Sequence, residues 1–209
     1  MSSTNTASDE LSQILTEYCQ FAGNISVTES VEKLLTQVSE DLRYELLSAK
    51  TDDSRNTVLT EAAWRGHTEL CVTLLSSLPS ADRLKLILVD KLTAVHAATW
   101  HGHPGTVSSI LSCLTVEQQV KLLSTENSDG KTALHYAAKR GRPDVMKTLL
   151  VNLIPEQQLQ LFFTQDKAGD TALHNAAHAG HTETVKTLLD KLTPEQQLQL
   201  LFTQDKKGN

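Results

Sequence analysis

TALHYAAKRGRPDVMKTLLVNLIPEQQLQLFFTQDKAGD (residues 132–170) and TALHNAAHAGHTETVKTLLDKLTPEQQLQLLFTQDKKGN (residues 171–209) are one pattern written twice in succession. They align without a gap and agree at 25 of 39 positions. Self-similarity at a fixed period of this size marks a stacked repeat array, in which each unit buries its apolar face only against its neighbours. Upstream, TAVHAATWHGH starts at Thr93 and TVLTEAAWRGH at Thr57, and Gly66, Gly102, Gly141 and Gly180 keep one register. Four units follow: 57–92, 93–131, 132–170 and 171–209.

Each unit predicts a first helix from the Thr to just before the Gly. Paired alanines there (Ala62-Ala63, Ala137-Ala138, Ala176-Ala177) let neighbouring helices approach closely. The Gly ends that helix where positive φ is easiest. A second helix carries an inward stripe, Val145, Leu149 and Leu150 in one unit and Val185, Leu188 and Leu189 in the next. A short third helix is expected after it. Thr193-Pro194-Glu195-Gln196 places a capping hydroxyl, a Pro at the first helical position and a Gln able to reach back, and Thr115-Val116-Glu117-Gln118 repeats this without the Pro. The expected buried stripe is Leu198, Leu201 and Phe202, with Leu159, Phe162 and Phe163, then Val120 and Leu123, then Leu84, Ile87 and Leu88, as equivalents.

Thr-Ala-Leu-His, then Ala-Ala and Gly, then a helix ending in Leu-Leu resembles the ankyrin repeat over residues 57–209, with Ala133 and Ala172 where the family usually has Pro. The resemblance implies an all-α ankyrin-repeat solenoid of helix-turn-helix units. A family unit is about 33 residues long, so the extra residues here make the third helix. The turn before each Thr corresponds to the family's hairpin, with Gly130, Gly169 and Gly208 at the left-handed position. Arg55 and Lys91 stand at that position before Thr57 and Thr93, where less regular hairpins are expected.

Residues 1–8 are polar and expected to be disordered. Residues 9–56 predict helices around Leu11–Phe21, Val31–Val38 and Leu42–Ala49, and VEKLL (31–35) aligns with VKTLL (185–189). This segment reads as an atypical N-terminal helical capping unit; a separate short helical domain is the alternative.

Composition narrows the function. Aromatics are 4% of 209 residues, which suits thin layers of alanine and leucine. The net charge of −6 argues against nucleic acid as partner, because phosphate neutralisation dominates that affinity. No apolar run approaches a membrane span. The N-terminus has no secretory pattern, and three cysteines without C-x-x-C spacing suit reduced thiols, so a cytoplasmic location is expected. His96, His135 and His174 belong to the repeated motif, where the resemblance implies a structural role. His174 and His178 have the i, i+4 spacing of a zinc helix but lack the Glu of H-E-x-x-H. No metal, cofactor or catalytic residue is expected, and the chain reads as a non-enzyme.

What remains is the part that does not repeat. In the family, first helices and hairpins line a concave face whose variable positions select the partner. Here those positions hold Trp64 and Arg65; Trp100 and His101; Tyr136, Lys139 and Arg140; Asn175 and His178. Trp, Tyr and Arg are the residues enriched at binding hot spots. The expectation is a monomeric protein-interaction scaffold whose partner is a protein or peptide, acidic with apolar anchors, and whose tryptophans lie side by side. The alternative is the targeting module of a longer enzyme or of a host-directed effector. The C-terminal unit ends without a polar cap, so self-association through that end is a further alternative.

Overall fold

The computed structural model describes residues 25–50, 56–90 and 92–208. The expected N-terminal disorder, the first capping helix, Arg55 and Lys91 lie outside these residues. Fourteen helices and no strand occur among the described residues. The chain begins with α1 (Ile25–Gln37) and α2 (Glu40–Ser48), followed by four triplets. These are α3 (Val58–Arg65), α4 (Thr68–Ser76) and α5 (Ser80–Ile87); α6 (Ala94–His101), α7 (Pro104–Ser112) and α8 (Val116–Leu123); α9 (Ala133–Lys139), α10 (Pro143–Leu150) and α11 (Pro155–Phe163); and α12 (Ala172–His178), α13 (Thr182–Leu189) and α14 (Pro194–Leu201).

The triplet helices are seven to nine residues long, too short to persist alone in water. Stacking holds them. First helices form the row α3, α6, α9, α12, and second helices the row α4, α7, α10, α13. Ala62, Ala63, Ala98, Ala137, Ala138 and Ala176 are fully buried between first helices, and Leu74, Ile110, Leu149 and Leu188 fill the layer behind them. At the N-terminal end α1 packs on α4 and α2 on α5. The two helices thus occupy the second- and third-helix places of a unit.

Two of the signature histidines tie the first helix of a unit to the hairpin that closes it. The His135 Nδ1 accepts from the Thr132 backbone N–H (3.2 Å), which fixes the tautomer, so Nε2–H donates to the Asp170 carbonyl (3.1 Å). His96 makes the equivalent bridge to the Lys131 carbonyl (3.2 Å). In the first unit Thr60 replaces His, and the link is made from the opposite side. The Asp90 carboxylate accepts from Thr60 Oγ1 (2.5 Å), Thr57 Oγ1 (2.7 Å) and the Thr57 N–H (2.9 Å), and pairs with Lys50. Burial pushes the Asp90 carboxyl up, but these donors outweigh it and hold the group below its ordinary value. Asp90 thus joins the end of this unit to the start of its own first helix and to Lys50.

The later hairpins follow the expectation. Gly130, Gly169 and Gly208 have φ of 78°, 86° and 86°. Asn127 Oδ1 accepts from the N–H groups of Asp129 and Lys131, and Asp166 Oδ1 accepts from those of Ala168 and Asp170. Successive hairpins join through Lys167 N–H to the Asp129 carbonyl and Lys206 N–H to the Ala168 carbonyl.

The third helix is real, and its caps form as the sequence implies: Thr115 with Gln118, and Thr193 with Gln196. Its buried face needs correction. Leu122, Leu161 and Leu200 are buried, as are Leu123 and Phe162. Leu198, Leu201 and Phe202 are exposed: in the preceding units the Leu123/Phe162 position faces the next unit, and Leu201 has no such neighbour among the described residues. A second feature escaped the sequence reading. The fourth residue of each third helix ties that helix to the end of the second. Arg43 and Arg83 donate Nε–H to the Val38 and Leu78 carbonyls. Gln119, Gln158 and Gln197 donate to Leu114, Leu153 and Leu192. Arg43 and Arg83 each reach one unit further, to the Ser77 and Cys113 carbonyls.

Candidate partner-binding site

The turn after each first helix sets the site's edge. Gly66 and Gly102 adopt φ of 76° and 77°, and the N–H groups of His67 and His103 return to the Ala62 and Ala98 carbonyls. The residue before or after the next Gly then reaches back across the stack. His103 Nε2 meets the Trp64 carbonyl (3.0 Å), Arg140 Nε the Trp100 carbonyl (3.3 Å), and His181 Nε2 the Lys139 carbonyl (3.2 Å). The backbone carrying the variable side chains is therefore fixed at each step.

On this support lies a groove of about 350 Å³, lined by Trp64, Ala97, Trp100, His101, Tyr136 and Lys139 from first helices and by Leu92, Asp129 and Lys131 from hairpins. The tryptophans do not lie ring to ring. Trp64 stacks on His101 of the next unit, with centroids 5.1 Å apart and planes at 27°. Trp100 meets Tyr136 edge-on at 5.3 Å, and the Arg140 guanidinium lies over the Trp100 ring at 4.5 Å. Tyr136 is itself anchored, accepting at its hydroxyl from Asn127 Nδ2 (2.8 Å). Both rings lean one unit along because a first helix packs against the next first helix, so a residue's nearest ring belongs to its neighbour's variable position.

Five of the nine expected residues line the groove: Trp64, Trp100, His101, Tyr136 and Lys139. Arg140 joins them through Trp100. Arg65 is turned to Glu61 (3.1 Å). Asn175 is buried and donates Nδ2–H to the Thr171 carbonyl (3.1 Å), which removes it from any surface contact. His178 is exposed but stands outside the groove. Leu92, Asp129 and Lys131 were missed. They occupy the first and third places before each Thr, and could have been found by extending the variable-position reading into the hairpins.

Electrostatics at the groove are uneven. Burial, then the charges of His103, Arg140 and Arg142, push the His101 imidazole down, so it stays neutral near pH 7. Lys131 is committed to Asp166 (2.7 Å). Lys139 and Arg140 form no ion pair among the described residues. A larger depression of about 720 Å³ lies between α1, α2 and α4, but it has no aromatic wall, and its Arg43 is spent on backbone carbonyls. No group of three or more His, Cys, Asp or Glu side chains among the described residues is arranged to hold a metal. No helix of the described residues is long and apolar enough to cross a membrane.

Residues 83–158 match the family model described as Ankyrin repeats (3 copies), and residues 168–193 match the one described as Ankyrin repeat. No curated protein matches the chain.

Proposed function

From a chain that belongs to the ankyrin-repeat family, whose arrays are general protein–protein interaction modules, we propose a binding scaffold that takes a partner protein or peptide in the groove of Trp64, Trp100 and Tyr136. The observation that carries this reading is the groove itself. Three large rings from three successive units are already packed, beside Lys139 and Arg140, which form no ion pair among the described residues. Pre-packed aromatics lose little freedom on binding, which is why such residues dominate interface energetics. The scaffold acts by holding its partner; the groove offers no activated nucleophile and no paired acid and base.

The partner reading is an apolar anchor seated among the rings, with its acidic groups toward Lys139 and Arg140. The test uses protein captured on the immobilised array and identified by mass spectrometry, with affinity then measured by titration calorimetry. Trp100→Ala and Trp64→Ala should each cost about 2 kcal/mol or more of binding while the helical circular dichroism persists. Unchanged affinity in both variants would place the contact elsewhere on the array.

A further inference from the structure

Beside the groove runs a second surface that the repeat pattern alone would dismiss. The turns between first and second helices read Trp64-Arg65-Gly66-His67, Trp100-His101-Gly102-His103, Lys139-Arg140-Gly141-Arg142 and His178-Ala179-Gly180-His181. None of the four contains an acidic residue, in a chain whose net charge is −6. Among the carboxylates around them, Glu61 on α3 pairs with Arg65 and Asp129 lines the groove, while Glu69, Asp144 and Glu183 stand in the first turns of second helices. Stacking brings these turns into one edge, as the contacts from His103 to Trp64, Arg140 to Trp100 and His181 to Lys139 show.

Charge is concentrated at the third turn. Lys139, Arg140 and Arg142 form no ion pair among the described residues, although Lys50, Lys85 and Lys131 elsewhere all find carboxylates. Arg142 packs its guanidinium where a Cβ on Gly102 would stand, and its buried Nε has no partner. Three neighbouring cations without ion pairs raise the local positive potential and favour an anion. Histidines flank them on both sides.

We infer that this turn edge, from His101 through Lys139, Arg140 and Arg142 to His181, is a docking strip for a carboxylate-rich peptide segment of the partner, continuous with the apolar anchor in the groove. The inference rests on the groove reading and gives the ligand a direction. Packed helices lie about 10 Å apart, so the path from α6 to α12 is about 20 Å. An extended chain covers that in about six residues. The recognised motif is therefore an aromatic or aliphatic anchor adjoined by about six residues rich in Asp and Glu. A short acidic peptide suits the strip better than a nucleic acid, whose long run of phosphates would also meet the acidic remainder of the surface.

The test is selection of a random-peptide display library on the immobilised protein, followed by sequencing of the enriched peptides. An anchor adjoined by an excess of Asp and Glu is the result expected. That acidic excess should disappear on the Lys139→Gln/Arg140→Gln variant, and on Lys139→Gln alone should weaken. The best enriched peptide should bind the double variant at least tenfold more weakly, with a flatter salt dependence, while circular dichroism stays helical. Enriched anchors without acidic excess, or an acidic excess that survives in the double variant, overturn the strip and leave the groove standing. Peptides that bind Trp100→Ala as well as the parent protein overturn the groove and the strip with it. A fluorescent single-stranded oligonucleotide that binds at physiological salt and releases on the double substitution assigns the strip to nucleic acid and refutes the peptide.

Discussion

Acidification should loosen the stack through a buried ring, His96. His96 is 1% exposed, and burial above all holds its pKa down, to about 4. Above pH 6.5 the ring is neutral in both the folded and the unfolded chain, and folding is undisturbed. Between pH 6.5 and 4 the unfolded chain binds a proton that the folded chain refuses, so stability falls as pH falls; below 4 this loss levels off. At pH 4.5 the loss from His96 alone is about 2–3 kcal/mol. His135 acts in the same direction, since burial lowers its pKa as well. Asp90 and Asp166, whose pKa values lie below the ordinary one, hold their contribution until lower pH still. The measurement is urea unfolding followed by circular dichroism from pH 7.5 to 4.5. His96→Gln destabilises at pH 7.5 by losing the links to Thr93 and Lys131, at about 1 kcal/mol each, but it does not titrate. The gap between parent and variant should close, or slightly reverse, by pH 4.5, a change of about 2–3 kcal/mol. A gap that stays constant with pH would refute the reasoning, as would a parent whose midpoint does not move.

The third helix and the turn glycines give two further tests, both read by urea unfolding. Phe162 is 1% exposed and Leu201 57%, so Phe162→Ala should cost about 3–5 kcal/mol and Leu201→Ala about 0.5 or less. Gly102 and Gly180 have nearly equal φ, 77° and 74°, but a Cβ at Gly102 would meet Arg142 at 2.7 Å while one at Gly180 meets nothing within 4 Å. Gly102→Ala should therefore cost clearly more than the roughly 1 kcal/mol of left-handed strain expected at Gly180→Ala; equal losses would mean that Arg142 simply moves aside.

What could be read from the sequence was whatever the repeat states more than once. The glycine register, the first two helices and the capped third helix all recur, and each recurrence checks the others. Where the pattern lapses, the reading failed for a definite reason. Thr60 and Asp90 break it together, and each looks like an irregularity until the carboxylate is seen bonded to the threonine. The tie made by Arg43, Arg83, Gln119, Gln158 and Gln197 was hidden because two residue types serve one purpose. Each presents an N–H to the equivalent carbonyl of its own unit, and only alignment of the third helices exposes it. The buried face of α14 was misjudged because burial there depends on the neighbouring unit, a fact about stacking and not about the helix. The same dependence re-paired the rings: Trp64 finds His101, and Trp100 finds Tyr136.

On the proposed reading, the two most similar units divide folding from recognition. Residues 132–170 and 171–209 share the Thr, the Ala-Ala pair, the Gly, the Leu-Leu pair and most of the third helix, and all of these are used for folding. They differ where Tyr136, Lys139 and Arg140 face Asn175, His178 and Ala179. One unit supplies a ring and two cations without ion pairs among the described residues to the groove and its edge. The other turns its first variable residue inward, where Asn175 bonds its own helix start. A conserved backbone with divergent tips makes each unit a holder for one or two contacts. The groove exists where three consecutive holders, at Trp64, Trp100 and Tyr136, all carry rings. Replacing Tyr136 and Lys139 by the residues of the following unit, Tyr136→Asn with Lys139→His, should therefore leave the stack folded and abolish partner binding. A variant so altered that still binds would detach recognition from these positions.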